Sequence, residues 1–302
     1  MLHFKYSMVI VSALICAFAY HCSTAAIGDD AAPAAPADAA PAGPFTLAYK
    51  FTAGKVLKYS LSVDMIDQMS MGANNQKFNA HIDMSMTQTT KSVDPDTGNA
   101  TELVAVTATT GIVNGQPMDQ KMLQSQIPAP MTLVMSPAGK VISSSLVAGQ
   151  APVPGATNPN SFGLYAFLPA NPVIVGEEWK NSVPLDALGL TIAYQIGLKS
   201  VALTNGAQVA QLESKYTSSP APFAAAQQTQ MGATSPSMTG DFLTKFDIDA
   251  GEIKSVVGHM VTDMSSPVNA QDPNQMQGQQ QGAQTINTHI DMRTLMTELP
   301  PQ

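Results

Sequence analysis

Residues 45–67 read FTLAYKFTAGKVLKYSLSVDMID, and their alternation decides the fold class. Leu47, Tyr49 and Phe51 alternate with Ala48, Lys50 and Thr52. After the break Thr52-Ala53-Gly54-Lys55, the apolar set Leu57, Tyr59, Leu61, Val63 and Met65 alternates with Lys58, Ser60, Ser62 and Asp64. A period of two sends each set to its own face of a strand. A glycine in a short polar break lets the chain reverse, so residues 45–67 are expected to form a β-hairpin.

The same grammar recurs downstream. Residues 78–93 place Phe78, Ala80, Ile82, Met84 and Met86 on one face, with His81, Asp83, Ser85 and Thr87 on the other. Asp94-Pro95-Asp96-Thr97-Gly98 is a turn, and the Val/Thr-rich stretch 101–113 reads as the return strand. Residues 118–126 predict a short helix stopped by Pro128 and Pro130, and residues 162–168 a second helical turn. Residues 131–135 and 140–145 flank a hairpin turn, and 147–160 is a Pro/Gly loop. In the second half Leu190, Ile192, Tyr194, Ile196 and Leu198 alternate, and Asn205-Gly206 marks a tight turn into the strand 208–217. Residues 218–239 form a polar loop, 241–248 and 252–264 a hairpin, and 285–299 the last strand. The expectation is an all-β domain over residues 45–299, with about ten to twelve long antiparallel strands and one or two short helices. A curved sheet, a half-barrel or two packed sheets all satisfy the pattern. His-Ile-Asp-Met occurs at 81–84 and again at 289–292. The echo fits two similar halves, 45–146 and 172–299, or simply the shared grammar of strands.

The flanks set the location. Residues 1–25 carry Lys5, an apolar run from Met8 to Tyr20 and the small residues Ser23-Thr24-Ala25, which is the layout of a cleaved export signal. The alternative is an uncleaved anchor. Residues 26–44 are an Ala/Pro tether lacking the apolar side chains that would offset ordering, and 271–284 is of low complexity. Both cysteines, Cys16 and Cys22, lie in the leader, so the exported chain is expected to have no disulfide and no thiol nucleophile. Removing Lys5 from the 14 basic residues, against 22 acidic ones, leaves a net charge near −9. Such a chain suits neither nucleic acid nor an anionic membrane surface. The expected location is periplasmic, cell-surface or extracellular, with no membrane span once the leader is removed.

Candidate chemistry is sparse. Sixteen of the 18 methionines follow the leader. A copper site at His81, Met84 and Met86 is conceivable from thioether and imidazole ligands. Strand parity separates His81 from Met84 and Met86, and His289 from Met292 and Met296, so core packing is the preferred reading. His81 with Asp83, and His289 with Asp291 and Arg293, share faces and offer two acid/base pairs, the basis of a hydrolase-like alternative. Catalysis would need His81, Asp83, His289 and Asp291 to converge. His259 stands apart from both pairs. Gly-x-Ser-x-Gly, a phosphate loop, a dinucleotide fingerprint and His-Glu-x-x-His are all absent from the sequence. Asp94-x-Asp96-x-Gly98 and Asp247-x-Asp249-x-Gly251 begin like calcium loops, but Ala105 and Gly258 stand at the twelfth positions. Adjacent Glu177 and Glu178 would face opposite sides. No catalytic, cofactor or metal residue is therefore assigned, and no cofactor is expected.

Tyr49-Lys50-Phe51-Thr52-Ala53-Gly54-Lys55-Val56-Leu57-Lys58-Tyr59 resembles the opening of secreted bacterial β-rich proteins of unknown function. Pro172-Val173-Ile174-Val175-Gly176-Glu177-Glu178-Trp179 resembles their mid-chain Val-Gly-acid-x-Trp signature. The resemblance implies a secreted β-rich protein and transfers no functional residue. The open half-barrels of periplasmic lipoprotein carriers are an analogy of fold class. The expected role is a non-catalytic binding or envelope protein, partnered by an apolar small molecule or another envelope protein. An apolar ligand would lie on the concave face of the sheet.

Overall fold

A computed structural model describes residues 43–72, 74–127, 129–146, 166–185, 190–220, 236–267 and 285–300. The leader 1–25, the tether up to residue 42, the loop 147–160 and the low-complexity stretch 271–284 lie outside the described residues. Among the described residues twelve strands form one sheet. They are β1 (Val56–Met71), β2 (Asn74–Val93), β3 (Ala100–Val113), β4 (Gln116–Pro117), β5 (Met131–Met135), β6 (Val141–Leu146), β7 (Glu178–Leu185), β8 (Leu190–Thr204), β9 (Ala207–Pro220), β10 (Ser237–Asp247), β11 (Glu252–Pro267) and β12 (Thr285–Glu298). The helix α1 (Gln120–Gln126) follows β4. Residues 166–168 of the second expected helix are not helical.

The order across the sheet is β6-β5-β3-β2-β1-β12-β11-β10-β9-β8-β7, antiparallel throughout, with β4 beside β3. The last strand returns to pair with the first, Met65 opposite Met292. The sheet is open, and β6 and β7 are its two edges. Parity works as the alternation requires. Tyr59, Leu61, Val63 and Met65 of β1, Ile82, Met84 and Met86 of β2, and Ile290, Met292 and Met296 of β12 are all buried. They join one core with Leu198, Leu212 and Phe246 from the far strands.

Residues 45–51 differ from expectation. They keep the predicted alternation, with Phe45, Leu47 and Tyr49 buried, but they are not a strand paired with β1. They form an extended strap across the inner face. Phe45 bridges Val173, Tyr49 N–H donates to the Pro137 carbonyl at 2.8 Å, and Lys50 N–H donates to the Gly251 carbonyl at 3.2 Å. Pro137 lies in the β5–β6 turn and Gly251 in the β10–β11 turn. On a flat sheet those turns would be five or six strand spacings apart, roughly 25–30 Å. Both touch consecutive residues, whose Cα atoms are only about 3.8 Å apart. The sheet must therefore curl into a deep trough. A second segment closes its lip: Leu168 N–H donates to the Ala138 carbonyl, and the Trp179 indole of β7 donates to the Phe167 carbonyl at 2.7 Å.

Two glycines make the closure possible. Gly139 and Gly251 have φ of 77° and 70°, and added Cβ atoms would sit 2.2 Å from the Ala166 carbonyl oxygen and 2.4 Å from the Lys50 nitrogen. Gly206 also has positive φ, 84°, but its Cβ would meet nothing. Gly206→Ala should cost about 1–2 kcal/mol for the left-handed backbone alone. Gly139→Ala and Gly251→Ala should each cost about 1–3 kcal/mol more, because backbone must move. Urea melts of the three variants check this; equal losses would mean the strap contacts contribute nothing.

Candidate binding site

The strand register gathers the polar residues into rows on the outer face. One row crosses eight strands: Lys180, Gln195, Lys215, Asp241, His259, Arg293, Asp64 and His81, each opposite the next. Lys215 stands opposite Asp241 and Arg293 opposite Asp64, but the closer contacts are Lys215 to Glu213 and Asp64 to His81.

The described histidines, His81, His259 and His289, each meet a carboxylate. His81 Nδ1 lies 2.8 Å from Asp64 Oδ1 and its Nε2 lies 3.1 Å from Asp83 Oδ2. A neutral imidazole has one N–H, whereas the cation has two, so two acceptors favour the charged ring. The hydrogen bond to Asp64 accordingly raises the His81 pKa above its ordinary value, with Asp83 adding to it against partial desolvation. His289 Nδ1 lies 2.7 Å from Asp263, and His259 Nε2 lies 3.1 Å from Asp291. Both His-Ile-Asp-Met copies thus make the same contact: the histidine reaches an Asp directly opposite on the preceding hairpin strand.

The four candidate acid/base residues do not form one cleft. His81 lies between Asp64 and Asp83, Asp291 turns to His259, and His289 faces Asp263 and Gln68. His81 and Asp291 do line one groove, of about 450 Å³, with Asp64 and Arg293. Buried Met84 and Met86 lie on the face opposite His81, and Met292 and Met296 on the face opposite His289. Among the described residues, no group of three or more His, Cys, Asp or Glu side chains is placed to hold a metal. The two calcium-like stretches are turns. Asp94 Oδ1 accepts from the Asp96 and Thr97 amides, which lowers its pKa, and Asp247 Oδ1 accepts from the Ala250 amide. Glu177 accepts from the Ile174 amide, while Glu178 pairs with Gln195 and Lys199.

Two inner carboxyls escaped the sequence reading. Glu102 is 0% exposed, and Thr90 Oγ1 donates to its Oε1 at 2.8 Å. Asp67 is 1% exposed, and among the described residues its Oδ1 has no hydrogen-bond partner. Burial raises the pKa of both. Parity was the available signal: Asp67 continues the phase of Val63 and Met65, and Glu102 shares that of Val104 and Val106.

No family model and no curated protein matches the chain. Among solved structures it is similar to lipovitellin, in a structure described by its lipid–protein interactions, with TM-score 0.41 and 12% identity over 83% of this chain and 26% of that one. It therefore spans about a quarter of that chain. It is also similar to a DUF1329 family protein from Desulfovibrio piger (TM-score 0.15, 9% identity, covering 80% and 87%). A putative outer membrane lipoprotein-sorting protein domain from Vibrio parahaemolyticus gives TM-score 0.14 and 10% identity, covering 78% and 85%.

The raised carboxyl and the raised imidazole have the same sign of linkage. Each contributes stability in full below its unfolded pKa, about 4.3 for Glu and 6.5 for His, and loses it as pH rises through the folded value. Glu102→Gln should therefore be more stable than the parent at pH 7, with the gap closing below about pH 4. His81→Gln should be least favourable near pH 5–6, approach the parent at alkaline pH and stay within about 0.5 kcal/mol, as at most exposed sites. Met84→Ala should cost about 2–5 kcal/mol at every pH. Urea melts across pH check all three; a loss in His81→Gln as large as in Met84→Ala would overturn the face assignment.

Proposed function

We propose that the chain is an exported, envelope-associated binding protein without a catalytic centre, holding an apolar ligand at one end of its concave face. The carrying observation is how the inner face is filled. At the strap end a small pocket of about 20 Å³, lined by Tyr49, Tyr59 and Thr90 among others, has room for a water. At the other end the inward residues Met69, Met71, Phe78, Val113 and Met264 are only half-buried. These residues are apolar, and the three methionines can repack around different shapes. The outer face, with its row of Lys, Arg, Asp and His, is unlike the apolar band of a lipid-facing barrel. Among the described residues no helix is long and apolar enough to cross a membrane. The export leader and tether expected from residues 1–44 support an envelope location. Separate His–Asp pairs, each satisfied across a strand, give the acid/base alternative no common centre.

Methyl-labelled methionine NMR with dodecanol as the probe tests this. Met69, Met71 and Met264 should shift saturably while Met84 and Met296 in the filled core stay put. Dodecanol leaving those three resonances unmoved would rule the reading out.

A further inference from the structure

The groove on the outer face is separate from the concave surface and has its own chemistry. It crosses β12, β1, β2 and β3, and Arg293, Asp64, His81 and Ile112 face one another in register across those four strands. Asp291 and Ile66 sit directly opposite one another in the groove as well. Its volume, about 450 Å³, falls within the range of small-molecule sites.

The charges in it are unevenly satisfied. Asp64 lies opposite Arg293, yet its Oδ1 is taken by His81 Nδ1 at 2.8 Å. Asp291, two residues from Arg293 on the same strand, gives its Oδ1 to His259 at 3.1 Å. Both neighbouring carboxylates are thus engaged with imidazoles, and among the described residues Arg293 is in no ion pair. An exposed guanidinium with five N–H donors beside engaged carboxylates is a receptor for a planar anion. Ile112, 44% exposed, and half-buried Ile66 supply apolar surface in the same groove.

We propose that this groove binds a small carboxylate with an apolar body, its carboxylate held by the Arg293 guanidinium and its hydrocarbon laid on Ile66 and Ile112. The strand spacing bounds the size: Arg293 and Ile112 are three spacings apart, about 14 Å, so the groove admits acids up to medium chain length and not a long lipid. The ligand's carboxylate gives the Arg293 fork the acceptor that Asp64 and Asp291, each bonded to an imidazole, do not supply.

Hexanoate is the probe, followed by calorimetry and by the Arg293 side-chain Nε–H resonance of the full exported chain. Saturable binding with a shift at Arg293 is expected, weakened about tenfold or more in Arg293→Gln. Arg293→Lys keeps the charge without the fork and should fall between the two. Hexanamide, with the same body and no charge, should bind at least about tenfold more weakly than hexanoate. Dodecanol shifts at Met69, Met71 and Met264 should be unchanged in Arg293→Gln, which keeps this site distinct from the concave face. The proposal is overturned by hexanoate failing to bind, by binding undiminished in Arg293→Gln with the fold intact, or by hexanamide binding as well as hexanoate.

Discussion

The trough exists because seven residues of extended chain bind both of its walls. Tyr49 and Lys50 are consecutive, yet their amides reach the β5–β6 and β10–β11 turns, which lie far apart along the sheet. Around them Tyr49 accepts the Ala166 amide at 2.8 Å and meets the Phe246 ring edge-on at 5.3 Å. The hydroxyl is buried and its pKa pushed far up, so it stays neutral and hydrogen-bonded. A row of aromatics continues along the wall, Phe167 to Tyr194 to Tyr216 to Phe242, with centroids 5.2 to 5.8 Å apart. An apolar segment laid in the trough thus stands where a further layer of structure would otherwise be needed to cover the sheet. The edges themselves are guarded: β7 carries Lys180 and Pro184, residues that discourage edge-to-edge pairing.

Curling fixes the two faces. Inside, Met65, Met292 and Met260 stand side by side on three adjacent strands, with Met84 and Met296 flanking Leu61 four residues along. Flexible side chains fill such a surface without demanding one shape. Outside, the register decides which polar groups meet. Exposed pairs of this kind contribute little each to stability, about 0–1 kcal/mol. Their arrangement matters more for recognition, because it decides which charge is left over.

Much of this was legible in the sequence and some was not, for reasons that residues make plain. Leu57 to Met65 and Phe78 to Met86 announced their faces through a period of two, and His81, Asp83 and Arg293 lie outside as that period requires. Asn205-Gly206 was read as a tight turn and is one, with φ of 52° and 84°. Asn114-Gly115 has the same geometry, 49° and 79°, but β4 after it is only two residues long, so no alternating return strand marks it in the sequence. Periodicity says which side a residue faces; it does not say who pairs with whom. The segment 45–51 shows this, being alternating and buried but bonded to turns instead of β1. The return of β12 to β1, which brings Arg293 opposite Asp64, has no local signal at all. Asp67 and Glu102 were hidden by residue type, since a carboxyl in an inward phase is easily read as a wet position.

The central claim is that strap and lip hold the sheet edges together. Spin labels at Lys140→Cys and Lys180→Cys, with Cys16 and Cys22 replaced by Ser, measure that closure through the distance between β6 and β7. Both lysines are exposed, one beside Gly139 and the other beside Trp179. Ten strand spacings separate the two edges along the sheet, roughly 48 Å if it lay flat. The curled trough predicts a narrow distribution at no more than about half that span, broadening and lengthening when Tyr49→Ala removes the ring between the walls. A distance near the flat-sheet value in the parent chain, or one that Tyr49→Ala leaves unchanged, would contradict it.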